Sequence, residues 1–163
     1  MNKYSKISLL LLLILILSGC NTSSNSQIKI FDDNKRLAES GDTYTFSSNT
    51  GHISDSKANL KYAGFSGVYT IWKINSDGDV GTNMKVNVAT KKGDFKIIHV
   101  TPDNIVNSIV LEIDDKQQFE SLHLSKGDHF IKVVGKNTSG SVDLEIELKK
   151  GLLVIPQGDP SSK

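Results

Sequence analysis

Cysteine is almost absent from this chain: Cys20 is the only one in 163 residues. No intramolecular disulfide can form, and beyond residue 20 there is no thiolate nucleophile and no cysteine-based zinc site. Packing alone must stabilise the fold, since an oxidising location permits disulfides without requiring them. Charge of one sign is missing too. The 19 basic and 18 acidic residues nearly cancel, and no stretch is strongly one-signed. A nucleic-acid partner calls for a basic patch, and none is present. Clustered lysines for a polybasic membrane contact are equally lacking. Long apolar runs are absent apart from residues 9–17, nine consecutive aliphatics followed closely by the polar stretch 21–27. A spanning helix needs about 20 apolar residues, so this run does not read as a retained membrane anchor. No helix-period segment longer than about two turns follows it, and no fixed-period repeat is visible.

What is present begins at the N-terminus. Lys3 and Lys6 precede the apolar run, and Ser18 and Gly19 separate it from Cys20. Lysines favour the cytoplasmic side while the apolar run enters the membrane. An ordinary cleaved signal peptide would explain the small residues without needing a cysteine. The order Leu17-Ser18-Gly19-Cys20 resembles the lipobox of bacterial lipoproteins. That resemblance implies removal of residues 1–19 as a signal peptide. It also implies a diacylglyceryl group on the Cys20 sulfur, with fatty chains such as palmitate. Two acyl chains anchor stably where one binds only marginally. The expected location is extracytoplasmic, lipid-anchored to the bacterial cell membrane.

Without the leader's two lysines, 17 basic residues face 18 acidic ones over 144 residues. That length suits one domain with an ordinary core. Residues 20–27 are expected to be the lipidated cysteine and a polar tether, the polar part spanning about 20–25 Å at ~3.3 Å per residue. Residues 28–155 are expected to form the domain, and residues 156–163 a disordered tail.

Strand signals fill the domain. Residues 27–31 alternate, 43–46 are β-branched and aromatic, and 59–62 are weaker. Residues 68–74 form a strong candidate, and the Asp77-Gly78 pair after it suits a tight hairpin. Residues 84–88 and 95–101 follow. Pro102 can open a helix or sit in a turn; the β-branched residues on either side favour a hairpin into 105–113. Residues 119–124, 129–134 and 142–148 are further strands, with turns expected at 126–128 and 136–140 and a flexible loop at 64–67. In 142–148 four aliphatics alternate with three acids, giving one buried and one wet face. Residues 152–155 add a short strand or dock under the sheet. Eight to ten short strands with regular turn signals predict an all-β, antiparallel β-sandwich or jelly-roll-like single domain.

The order of strands and turns over residues 95–148 carries a family likeness. It includes Thr101-Pro102-Asp103-Asn104, Leu122-His123-Leu124-Ser125-Lys126-Gly127-Asp128-His129-Phe130 and the turn Lys136-Asn137-Thr138-Ser139-Gly140. It resembles small lipoproteins of Gram-positive bacteria that carry one β-sandwich. More loosely, it resembles sandwich modules appended to secreted enzymes. The resemblance brings no catalytic residue with it.

Several clusters invite chemistry. Asn75, Asp77 and Asp79 have one-three-five calcium-loop spacing, yet Val80 stands where glycine is needed and Val86 where glutamate is needed. A plain hairpin turn is the expectation, with a loose calcium site as the alternative. His52, His99, His123 and His129 make no zinc-protease motif. His123 and His129 flank one turn and, with Asp128, offer at most a speculative zinc site. Gly64-Phe65-Ser66-Gly67 falls one residue short of a nucleophile elbow. Asp114-Asp115 and Glu145/Glu147 are carboxylate pairs without a visible cleft. Trp72 shares a strand face with Val68, Thr70 and Ile74, which favours a core anchor over a platform completed by Tyr44, Tyr62 and Tyr69.

The expectation is therefore a non-catalytic, lipid-anchored binding domain. It has no cofactor, no metal and no nucleic-acid partner, and Cys20 is its one assigned site. Partners would be the membrane, through the lipid, and an envelope protein or surface glycan, with the chain a monomer. The alternatives are an accessory or sensor subunit of a membrane transporter or signalling complex, an envelope enzyme whose site is assembled from distant residues, and a purely structural or adhesive protein.

Overall fold

The computed structural model describes residues 22–110 and 117–158. Two helices, α1 (Thr22–Ile30) and α2 (Asn34–Ala38), precede the strands. These are β1 (Thr43–Thr45), β2 (Ser48–Ile53), β3 (Lys57–Ser76), β4 (Val80–Val100), β5 (Val106–Val110), β6 (Gln118–Leu124), β7 (Gly127–Ile146) and β8 (Leu152–Pro156). All pairings are antiparallel within one sheet ordered β1-β3-β7-β4-β5, with β2 and β8 also on β3 and β6 also on β4.

The expected strands were short; the central three are not. β3, β4 and β7 run 20, 21 and 20 residues, against a usual range of about 3–10. Each serves two layers. In the first layer, residues 57–62 of β3 pair with 140–145 of β7, and 140–146 of β7 pair with 84–90 of β4. β2 and β6 complete its edges. In the second layer, residues 67–76 of β3 pair with 127–135 of β7, and 130–136 of β7 pair with 94–100 of β4. β1 and β8 lie along the outer edge of β3 there, and β5 along β4.

Between the layers the pairing slips in register, from Tyr62 to Gly67 in β3 and from Thr90 to Asp94 in β4. Positive φ angles cluster at the same level: Gly64 (60°), Gly67 (107°), Gly93 (75°) and Asn137 (51°). Bulges of this kind bend a strand sharply without ending it. At Gly67 a β-carbon would overlap the Thr43 carbonyl oxygen, so both conformation and space demand glycine. Ser66 ties the bend together. Its hydroxyl donates to Asn137 Oδ1 at 3.3 Å and accepts the Asn137 N–H at 3.0 Å.

The bend folds the open sheet over so that one layer packs on the other. The Trp72 indole N–H, in the second layer, donates to the Ser54 carbonyl at 2.6 Å, at the far end of the first. Leu60, Val86, Val142 and Leu144 from one layer and Ile71, Trp72, Ile97 and Ile131 from the other belong to one buried core. The antiparallel sandwich expected from the strand pattern is the fold observed.

Several local expectations are corrected. Residues 64–67 and 136–140 do not form a loop and a turn. They are bends inside continuous strands, since glycine and asparagine supply positive φ to bulges as readily as to turns. Residues 75–79 are not a hairpin, because β7 lies between β3 and β4. Ser76 pairs with Gly127 in the second layer and Val80 with Leu124 in the first, so the Asp77-Gly78 turn crosses between layers. Residues 27–31 are not a strand: they lie in and just after α1, into which the expected tether also runs from Thr22. Ile30 packs against Val68, Ile98, Val100 and Val134, so a short alternating run was a one-sided helix contact. Leu148 lies past the end of β7 and is 51% exposed, while Val142, Leu144 and Ile146 are buried. The hairpin at Pro102 is as expected: the Asn104 N–H donates to Thr101 at 2.9 Å and the chain returns as β5. Residues 152–156 form β8.

The helices cover the outer face of the second layer. Asp33 caps α2, its carboxylate accepting the Arg36 N–H at 3.2 Å. Lys132, 0% exposed, holds the other end by donating to the carbonyls of Leu37 (3.2 Å) and Glu39 (2.5 Å). Burial pulls its amine below the usual lysine range, while Asp42 and Glu39 act in the opposite sense. Among the described residues no helix is long and apolar enough to cross a membrane.

Candidate functional site

With the second layer's outer face under helices, the broad open face is the outside of the first layer. Strand alternation turns Leu60, Val86, Val142 and Leu144 inward and their neighbours outward. Pairing then sets the outward residues in rows. Lys57, Glu145, Lys85 and Phe119 stand side by side across β3, β7, β4 and β6. The next row is His52, Asn59, Asp143 and Asn87, and the next Thr50, Lys61, Ser141 and Ala89.

Some of these groups are engaged. Lys57 and Glu145 pair at 3.2 Å with both side chains well exposed, an arrangement that contributes at most about 1 kcal/mol. The Asn59 amide donates to Asp143. Others are uncommitted: Lys61, Lys85, Asn87 and Lys91 have no side-chain partner among the described residues. Two hollows indent the face. One of about 230 Å³ is lined by Asn59, Lys85, Asn87, Gln117 and Asp143 among others. The second, about 420 Å³, lies toward the bend and is lined by Ser48, Thr50, Lys61, Lys91, Ser139 and Ser141 with backbone between them. Phe119 is 70% exposed at the rim of the face. Uncommitted hydrogen-bonding groups on rigid strands, beside one bare aromatic ring, can hold a ligand rich in hydroxyls.

A wider hollow, about 670 Å³, lies between α2, Asn104 and Phe130. The nearby Lys132 ammonium is already occupied by the helix carbonyls.

The residues singled out in the sequence scatter. Trp72 is 0% exposed, so it is a core anchor and not a platform. Tyr62 and Tyr69 are buried as well, and burial pushes the Tyr62 phenol up to about 12. Tyr44 packs edge-on against Tyr69 at 4.9 Å. The calcium-spaced residues diverge: Asn75 donates to Asp128 at 2.9 Å, while Asp79 faces His123 at 3.8 Å. His129 pairs with His99 at 2.8 Å and not with His123. Asp128 points to Lys73 at 2.8 Å, and the hydrogen bonds from Lys73 and Asn75 hold its carboxyl below the usual range. Among the described residues no three His, Cys, Asp or Glu side chains gather for a metal ion. Ser66 is buried in the bend and bonded to Asn137, a structural position. Glu147 is held by Lys149 and Asn83, which keep its carboxyl below the usual range, and it does not oppose Glu145. Cys20, Asp114 and Asp115 lie outside the described residues.

The outer face was not anticipated from sequence as a site. One signal was available: Phe119 has the opposite parity to Leu122 and Leu124, which places it outside if those two are inside. The row alignment of Lys85, Asn87 and Asp143 depends on which strands pair, and no local pattern carries that.

No protein-family model matches the chain, and no curated protein matches it. Among solved structures, it is similar to a carbohydrate-binding module of Cellvibrio mixtus lichenase 5A in complex with cellotriose, at 15% identity and a TM-score of 0.39, covering 70% of this chain and 94% of that one. It is similar to a family 35 carbohydrate-binding module from an environmental isolate, at 12% identity and a TM-score of 0.38, covering 77% and 87%. A family two carbohydrate esterase from Cellvibrio japonicus aligns at 15% identity and a TM-score of 0.33, covering 73% of this chain and 36% of that one. All three scores lie below 0.5.

Proposed function

We propose that this chain is a non-catalytic binding module that holds a polyhydroxylated, glycan-type ligand on the outer face of the first layer. It acts as a monomer fixed outside a bacterial cell by lipid on Cys20. The observation that carries the ligand reading is Phe119, 70% exposed and in one row with Lys85, next to the hollow formed by Asn87 and Asp143. A sugar ring offers an apolar C–H face to an aromatic ring and a rim of hydroxyls to amides and carboxylates. Both partners stand here on strands, so little ordering is needed on binding.

The test is a titration with soluble gluco-, xylo- and manno-oligosaccharides followed by backbone amide NMR. Shifts are expected on the first-layer parts of β3, β4, β6 and β7. Phe119→Ala should weaken binding about fivefold or more while leaving stability within about 0.5 kcal/mol, as for a surface substitution. Shifts confined to the second layer, or no shift with any sugar, would remove this reading.

The anchoring rests on the lipobox-like order at residues 17–20. Cys20→Ser should leave the chain unprocessed or release it into the medium. A variant that is normally cut and still sediments with membranes overturns the anchor and leaves the ligand reading standing.

A further inference from the structure

The two hollows on the outer face differ in charge. In the smaller one Lys57 and Lys85 stand among Asp143 and Glu145, and Lys57 closes on Glu145 at 3.2 Å. Among the described residues the larger one holds Lys61 and Lys91 and no carboxylate. Neither of these ammonium groups has an ion-pair partner among the described residues. Asp143, two residues along β7 from Ser141, is engaged by Asn59.

Topology explains why the two lysines share one hollow. They rise from β3 and β4, which flank β7 on either side at the bend end of the first layer. Strands one position removed stand roughly 10 Å apart, and each lysine stem is long enough to reach the midline. Ser139 and Ser141 of β7 stand on that midline. Ser139 Oγ accepts the Gly64 N–H at 3.1 Å, which leaves its own proton free to donate outward.

We infer that this hollow is a subsite for an anionic group, phosphate or carboxylate, carried on the polyhydroxylated ligand; the inference rests on the glycan reading above. Two like charges at the walls of a concavity reinforce each other's potential there. A bound anion takes a charge-assisted hydrogen bond from each ammonium and neutral ones from the serine hydroxyls. Asp143 and Glu145, on the same face, repel a partner that is anionic along its whole length, such as a nucleic acid. The arrangement suits a chain that is mostly hydroxyl and charged at intervals.

The test compares pairs of polymers with one backbone, charged and uncharged. These are phosphomannan with its dephosphorylated mannan, and polygalacturonate with its methyl-esterified form. In at least one pair the charged form should bind about tenfold tighter at low salt, and the difference should shrink as salt shortens the screening length from about 30 Å toward 3 Å. The double variant Lys61→Gln/Lys91→Gln should lose that preference, binding the charged and uncharged forms of each pair equally. Equal binding within both pairs, or a preference that survives the double variant, overturns the anionic subsite and leaves the glycan reading intact. Failure of all four polymers to bind, with the fold intact by thermal melting, overturns both.

Discussion

Lowering the pH from about 7.5 to about 5 should cost the fold about 2 kcal/mol, with His99 as the cause. His99 is 6% exposed and its Nε2 lies 2.8 Å from His129 Nδ1. His129 donates its own Nε2–H to the Ser125 carbonyl at 2.8 Å. Its Nδ1 is then the acceptor for an N–H from His99. A second proton would charge a ring that has left water and lies against another imidazole. Burial first, and the His129 charge second, lower the His99 pKa from 6.5 to about 4. The unfolded chain therefore binds more protons than the folded one between those values. The stability is complete above the unfolded value and is lost as the pH falls through the folded one. The whole separation is worth roughly 3 kcal/mol, of which about 2 is gone by pH 5. Urea denaturation is the assay, read by the single, fully buried Trp72. His99→Gln keeps an N–H for His129 and removes the titration, so its midpoint should stay nearly level over that range. The carboxyls of Asp128 and Glu147 are held below their usual range, so neither should mimic the effect. A parent midpoint equal at both pH values, or a variant that falls as steeply as the parent, refutes the reasoning.

Two further outcomes follow from the packing. Trp72→Ala removes the largest side chain of the core together with its bond to Ser54, and should cost about 3–5 kcal/mol by circular dichroism melts in urea. A loss under about 1 kcal/mol would mean the layers are not joined there. Lys132→Met leaves the Leu37 and Glu39 carbonyls without their donor. It should cost about 1–3 kcal/mol and speed hydrogen exchange over residues 30–42, with the amides of β7 still protected; unchanged exchange in that segment would show that Lys132 does not hold the helices.

What could be read from sequence follows the range of each signal. Alternation in residues 142–146 reports burial one residue at a time, so that strand and its inner face were legible. Residues 68–74 were legible as a strand but not for their faces: a register shift between Thr70 and Trp72 leaves Val68 under the helices and puts Ile71, Trp72 and Ile74 in the core, so Trp72 does not share a face with Val68 and Thr70. Pro102 was legible because the turn it starts closes within four residues. The bends were not: Gly64, Gly93 and Asn137 supply the same conformation to a turn and to a bulge, and only the neighbouring strand decides between them. The layer-crossing at Asp77 was hidden for the same reason, since it depends on β7 arriving between β3 and β4 from some 50 residues downstream. The face carrying Phe119, Lys85 and Asn87 is a product of that arrangement. Its members became neighbours only when β4 was paired on both edges. Lys132 shows the opposite limit: a lysine inside an alternating strand reads as solvent-facing until a helix is laid over it.

Because β3, β4 and β7 each pass through both layers, neither half of the sandwich can be peeled away as a unit. Prising the halves apart exposes the shared core at once and bends three strands back at the same hinge line. Among the described residues only the five outer strands can fray alone. A force pulling the layers apart would therefore be resisted to a sharp threshold, and the domain would then give way all at once, with no half-open form for proteases to cut.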